Sequence, residues 1–349
     1  MANPMTDIAT SGPSLLVLGL VLVLAATLSA ALIVVVSPWL KAYALARPNV
    51  RSSHREPTPQ GGGAAVIAAT FAVAWGGALL LAPFSTGEIG QLMAVTAGAA
   101  LVAVVGAVDD VRGVAPLPRL ILQAAAVGIV IAALPADLQV LPMLPRWIER
   151  AGLLVGGVWF VNLTNFMDGI DWMTVAEVVP ITAALALLGL LGFIPALPML
   201  LAVALVGAIL GFAPFNKPVA KLFLGDVGSL PIGLVLAWLL LALAARGHLA
   251  AALLLPLYYV ADATLTLFRR LKAREPVWQA HRTHFYQRAV DGGFTVPEIA
   301  TRVFATNCGL AGIALLTIPA PGIVASLAAL ATGAVLVGML LANLARGKR

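Results

Sequence analysis

From Ser14 to Trp39 the chain carries no charged side chain, and that stretch exceeds the about 20 apolar residues a helix needs to cross a bilayer. Ten more apolar runs follow: Ala64–Leu81, Gln91–Val108, Leu120–Leu134, Leu153–Thr164, Met173–Gly192, Ala196–Phe212, Leu230–Ala244, Leu249–Phe268, Arg302–Ile318 and Gly322–Leu344. Only 10% of the 349 residues are charged and 61% are hydrophobic, against roughly 25% charged in soluble domains. A soluble globular enzyme is excluded. The pattern predicts an all-α polytopic membrane protein of about 11 transmembrane helices, a single integral-membrane domain over residues 1–349 with cytoplasmic loops at 41–62 and 269–298. No Lys or Arg precedes the first run, which is too long for a signal-peptide core, so it reads as a retained helix. The single cysteine, Cys308, lies in an apolar run; there is no disulfide framework and no Cys-rich metal site.

Orientation follows from the side on which basic residues gather. With the N-terminus outside, Lys41, Arg47, Arg51, Arg55, Arg112, Arg119, Lys217, Lys221 and the ten basic residues from Arg269 to Arg349 fall inside, 18 in all against Arg146, Arg150 and Arg246 outside. Shifting the helix count by one in mid-chain would scramble this bias, which supports the number eleven. No internal repeat is visible. The Gly207/Gly211 pair reads as close helix packing.

Three of the four histidines (His54, His281, His284) and nine of the fifteen acids lie in the predicted cytoplasmic loops or at helix ends facing them. Only Glu177 and Asp262 look embedded, and an ionisable residue at membrane depth is costly and functional by default. Chemistry is therefore expected at the inner membrane surface.

Four pieces carry it. Adjacent Asp109 and Asp110 end an apolar run; two such carboxylates repel unless a cation sits between or beside them, although a helix-capping pair explains them equally well. In Asn162-Leu163-Thr164-Asn165-Phe166-Met167-Asp168-Gly169-Ile170-Asp171, helical spacing keeps Asn162, Asn165 and Asp168 on one face, at about 100° per residue. Asp171 points away unless the helix opens at Gly169. Amide and carboxylate oxygens are hard ligands of the kind Mg²⁺ accepts. Phe223-Leu224-Gly225-Asp226-Val227-Gly228-Ser229 frames one acid with two glycines, which let backbone approach closely, and Ser229 reads as a helix cap. The basic loop starts with Arg269, Arg270, Lys272 and Arg274 and continues through Trp278, His281, Arg282, His284, Tyr286 and Arg288. Its first half suits the positive-inside bias or anionic membrane lipid. Its second half suits stacking on a base and clamping phosphate oxygens, so the expected partner is an anionic nucleotide and not a nucleic acid. The loop holding His54 leads into Gly61-Gly62-Gly63, a weak phosphate-cradle signal.

With PTPQGGG at Pro57–Gly63, VDDVRG followed by Arg119 and Gln123, NLTNFMDGID, FLGDVGS and HRTHFYQR at His281–Arg288 in this order, the chain resembles the polyprenyl-phosphate N-acetylhexosamine-1-phosphate transferases. The likeness covers nearly the whole chain and is nearest to the O-antigen-initiating branch; phospho-MurNAc-pentapeptide translocase is a relative. The resemblance implies ten or eleven membrane helices, a cytoplasmic active-site cleft and the inner membrane of a bacterium. It implies attack of polyprenyl phosphate on a UDP-N-acetylhexosamine, giving polyprenyl-diphospho-sugar and UMP, with Mg²⁺ as cofactor and a homodimer as an open option. By position, Asn165 and Asp226 match metal ligands, Asp109 and Asp110 the catalytic acid pair, and His284 the histidine contacting diphosphate. Asp168 joins the catalytic group; His54, Asn162, Asp171, His281, Arg282 and Arg288 are expected to bind substrate. Trp172 stands where the family usually has a second Gly, and Tyr286 and Gln287 where many relatives have histidines. The rival reading is a transporter of a nucleotide sugar or lipid-linked precursor, for which broken helices and two related halves would be the signs; the sequence shows neither.

Overall fold

The computed structural model describes residues 14–46, 57–80, 84–276, 281–319 and 322–348. These form thirteen helices: α1 (Leu15–Tyr43), α2 (Gly63–Leu80), α3 (Thr86–Arg112), α4 (Pro116–Ala132), α5 (Arg146–Met167), α6 (Met173–Leu190), α7 (Ala196–Phe212), α8 (Asp226–Ala245), α9 (Leu249–Leu254), α10 (Leu257–Lys272), α11 (Phe285–Asp291), α12 (Val296–Leu316) and α13 (Ile323–Arg346). A two-stranded antiparallel ribbon, β1 (Leu45–Ala46) and β2 (Thr58–Pro59), is the exception to an all-helical chain among these residues. Helices suit a bilayer because every backbone polar group is satisfied within the segment. Their starts are written locally: Ser85 and Glu88 form a capping box on α3, and Thr295 and Glu298 another on α12, each satisfying orphan first-turn amides.

Seven helices are long and apolar enough to cross a membrane among the described residues: α1, α2, α3, α6, α8, α12 and α13. Their outer faces are apolar and bare. Leu16 on α1 is 87% exposed and Val324 on α13 is 79% exposed, which in a multi-pass membrane protein is surface facing lipid. The centre is α7, where all residues except Ala196 and Leu210 are buried, wrapped by α1, α2 and α6.

Each predicted apolar run corresponds to one helix, with one exception. Leu249–Phe268 is split into α9 and α10 at Leu255–Pro256, because proline supplies no N–H for the helical ladder. A broken helix, which the sequence reading did not find, is thus present. The basic loop at 269–298 is also less open than expected: its first basic residues complete α10, and α11 occupies its second half.

Helix ends converge at one end of the bundle. The Gly61 and Gly62 N–H groups donate to the Phe223 carbonyl at 3.1 and 3.0 Å, and the Gly63 N–H donates to Leu224 at 2.8 Å. These amides are spent on the neighbouring loop, so the glycine run is a packing device and not a phosphate cradle. A β-carbon on Gly63 would lie 2.2 Å from the Gly228 Cα, so α2 and α8 start backbone against backbone. Gly63→Ala should lower the detergent-solubilised melting temperature strongly, since overpacking of this kind costs about 1–3 kcal/mol or more. Gly76→Ala, inside α2 at a position with nothing within 4 Å, should not lower it in the same thermal-shift assay, since alanine is the better helix former.

Candidate active site

The N-terminus of α8 organises the converging residues. Gly225 has φ +77° and a β-carbon there would meet Asp110 Oδ2 at 2.6 Å, so glycine is needed both for the left-handed backbone and for the space. Into that space Asp110 projects: Oδ1 accepts the Asp226 N–H at 3.0 Å and Oδ2 the Val227 N–H at 3.2 Å. A carboxylate at a helix N-terminus satisfies orphan amides and the helix dipole together. The Gln60 side-chain amide fastens the Asp110 carbonyl at 2.9 Å.

Asp109 is equally committed. Its Oδ1 accepts the Val114 N–H at 2.6 Å and its Oδ2 pairs with Arg119 Nη1 at 2.5 Å. The same Arg119 nitrogen is 3.6 Å from Asp226 Oδ2. Arg119 is thus the counter-charge of the cluster, a role its place in the sequence did not disclose. Both carboxylates of the pair are held by donors, an arrangement that positions them.

Asn165 and Asp226, 61 residues apart, meet: Asn165 Nδ2 donates to Asp226 Oδ1 at 2.6 Å and to Ser229 Oγ at 2.9 Å. Ser229 therefore serves Asn165; α8 has no side-chain cap. Asp168 follows α5 directly and accepts the Thr174 hydroxyl. Burial raises the Asp168 pKa, the Thr174 hydrogen bond lowers it, and the charges of Asp226, Asp110 and Asp171 raise it further, to about 8.

Asn162 and Asp171 lie deeper. Asn162 is buried and donates to Gln123 Oε1 at 2.6 Å and to the Val158 carbonyl at 2.8 Å, tying α5 to α4. Asp171 Oδ2 accepts the Ala220 N–H at 2.9 Å, so the chain does open after α5 and Asp171 fastens the loop leading to Asp226. Next to it Trp172 sits at φ +62°, the conformation that explains glycine as the usual residue there. The Trp172 backbone N–H donates to Asn216 Oδ1 and its indole N–H to the Ala213 carbonyl, both at 2.8 Å.

From the basic loop, His284 is buried and its ring stacks on His281 with centroids 4.9 Å apart. Arg282 pairs with Asp291 at 3.2 Å and keeps a buried Nε without a partner. Arg288 is exposed on α11. His54 and Trp278 lie outside the described residues.

The fit of a divalent cation can be judged from this chemistry. Asp110, Asp168 and Asp226 press on one another electrostatically, with Arg119 as the cation paired to the cluster. Among the described residues no three His, Cys, Asp or Glu side chains form a ready metal cage. Mg²⁺ does not require one, since it keeps several waters and takes one or two carboxylates plus substrate phosphates. The donor set fits.

Fold and site define a multi-pass helical membrane protein with a carboxylate, amide and histidine site at one end of its bundle. Residues 92–244, which hold Asp109, Asp110, Asn165, Asp168 and Asp226, match the model of glycosyl transferase family 4. The chain is 28% identical to phospho-N-acetylmuramoyl-pentapeptide-transferase of Streptococcus agalactiae over 53% of its own length and 60% of that relative. It is 24% identical to a probable undecaprenyl-phosphate N-acetylglucosaminyl 1-phosphate transferase of Bacillus subtilis (73% of this chain, 72% of the relative). It is 27% identical to decaprenyl-phosphate N-acetylglucosaminephosphotransferase of Mycobacterium leprae (75% and 73%). The chain thus spans about 60% of the length of the streptococcal relative. Its similarity is to the glycosyl transferase 4 family, through residues 92–244 and through these relatives.

One stability consequence follows from Asp168. A carboxyl near 8 in the folded protein and about 3.9 unfolded binds more protons folded than unfolded between those values, so this group's contribution falls as pH rises through that window. Asp168→Asn should therefore flatten the decline in melting temperature from pH about 5 to about 8. Parallel declines in wild type and variant would show that Asp168 ionises normally.

Proposed function

We propose that this protein transfers an N-acetylhexosamine 1-phosphate from a UDP-sugar to polyprenyl phosphate, releasing UMP and starting an O-antigen or another envelope polysaccharide. The observation that carries the reading is the meeting of Asn165 with Asp226 at 2.6 Å, beside Asp110 and Arg119, in a chain whose similar proteins include polyprenyl-phosphate sugar-phosphate transferases. The reading also places eleven crossings in a bacterial inner membrane, with the N-terminus in the periplasm and the site facing the cytoplasm; the charge bias of the sequence supports it. A second copy of the chain as partner is compatible with this reading and not required by it.

In the reaction a lipid phosphate oxygen forms a bond to the sugar-bearing β-phosphorus, the bond from that phosphorus to the bridging oxygen breaks, and UMP leaves with that oxygen. A bound Mg²⁺ would neutralise phosphate charge. Asn165 and Asp226 would hold it, Asp110 keeps Asp226 in place through its backbone N–H, and Arg119 adds a fixed positive charge. Phosphoryl transfer depends mostly on such positioning and electrostatics. The lipid phosphate, with a second pKa of about 6, is mostly dianionic near neutral pH and needs no strong base. This agrees with Asp109 and Asp110 being tied down. His281, Arg282, His284 and Arg288 supply the side on which diphosphate and uridine would lie.

Purified protein given undecaprenyl phosphate, Mg²⁺ and a panel of UDP-N-acetylhexosamines should release UMP and form lipid-linked sugar with at least one of them. Asp226→Ala should lose at least about 10²-fold in rate while keeping its melting profile. Release of UDP, or uptake of intact UDP-sugar into proteoliposomes without conversion, would replace this reading with another transferase chemistry or with transport.

A further inference from the structure

Asp262 is one of the two acids placed at membrane depth by the sequence, and the transfer reaction as described leaves it without a task. It lies in α10 with 0% exposure, where an unpaired carboxylate would be costly. Four N–H and O–H donors and one imidazole nitrogen converge on it. Oδ1 accepts from the Thr266 hydroxyl at 3.3 Å and the Phe285 N–H at 3.0 Å and lies 3.2 Å from His284 Nδ1; Oδ2 accepts from the Tyr258 hydroxyl and the Tyr286 N–H, both at 3.3 Å. Three of these groups come from the cap and first turn of α11, so one buried carboxylate seats that helix.

The seating fixes a ring. His284 has Nδ1 on Asp262, its faces stacked by His281 at 4.9 Å and Tyr286 at 5.8 Å between centroids, and its backbone N–H on Gln287 Oε1 at 3.3 Å. The bond made by one imidazole nitrogen decides what the other can do; here Nε2 is the nitrogen left for a ligand. Tyr286 sets the distance. Its hydroxyl donates to the Phe166 carbonyl at 2.9 Å, between Asn165 and Asp168 in the chain, and a β-carbon on Gly169 would lie 2.0 Å from that hydroxyl. Glycine at 169 is what admits the tyrosine.

We propose that Asp262 is a positioning residue for the transfer reaction: from inside the bundle it holds His284 in the Nδ1–H form and turns Nε2 toward substrate phosphate, while Tyr286 locks that ring to the end of α5. This rests on the transferase reading. It assigns Asp262 no contact with substrate.

The chain has four histidines, so ¹⁵N-histidine spectra of the wild-type protein in lipid, with His284→Ala to assign the signal, read the tautomer directly. The expected result near neutral pH is a protonated, hydrogen-bonded Nδ1; a bare Nδ1 overturns the proposal. In kinetics with UDP-N-acetylglucosamine, or the UDP-sugar found active above, Asp262→Asn should lower kcat about 10- to 100-fold and leave KM within about twofold. In a His284→Ala background it should add less than about twofold, because residues that act through one group are not additive. A full repeat of the loss in that background overturns the proposal. If Asp262→Asn does not yield folded protein, the wild-type spectrum decides. A wild type that releases no UMP defeats the transferase reading, whereas the tautomer result stands or falls independently of it.

Discussion

A carboxylate pushed into the start of a buried helix is the constraint on which this structure turns. Asp110 takes the two first amides of α8, and by doing so fixes where Asp226 begins and where Asn165 can reach it. Replacing that interaction with water is not available at a helix start packed against α2 and α3. The loop ahead of α8 is tied in by the same logic, with Phe223 and Leu224 receiving the glycine amides and Asp171 receiving Ala220. The residues nearest the expected chemistry are therefore also the residues that close this end of the bundle.

That double duty explains why negative charge accumulates here without being neutralised by protein. Arg119 meets Asp109 and reaches Asp226, while Asp110 and Asp168 depend on backbone amides and a hydroxyl. Dipoles hold carboxylates in place but do not cancel their charge; at Asp168 burial is the main cause that raises the carboxyl to about 8, and the neighbouring carboxylates add to it. Under the proposed function, a cation brought in with substrate phosphate would relieve this repulsion.

Much of this was legible in the sequence, and the failures have physical causes. Apolar run lengths located the long helices because lipid demands the same composition along each one, but not the division between α9 and α10 or the short α11. Asn165 and Asp226 were paired through the family resemblance; the local pattern alone left Asp226 looking like an ordinary solvated loop carboxylate. The break at Leu255–Pro256 was missed because apolar residues run across it from α9 into the first turns of α10, and hydropathy cannot see a missing amide. The glycine run at Gly61–Gly63 was read as a cradle because glycine signals close approach without saying to what. Asp262 stood out as a buried acid, yet its partners from α11 lie more than twenty residues along the chain, and no local pattern points to them. Asn162 was grouped with the site by helical spacing, but one turn deeper it is occupied with Gln123.

Trp172 adds a different kind of information. Its backbone is bent the way glycine bends freely, at a cost for other residues of roughly 1–2 kcal/mol, and two hydrogen bonds to the 213–216 segment hold it there. One of those bonds is made by the backbone and survives any side chain; the other belongs to the indole. A smaller residue beside Asp171 would therefore keep the tie to Asn216 and release the one to Ala213, trading part of the anchorage of this turn for space.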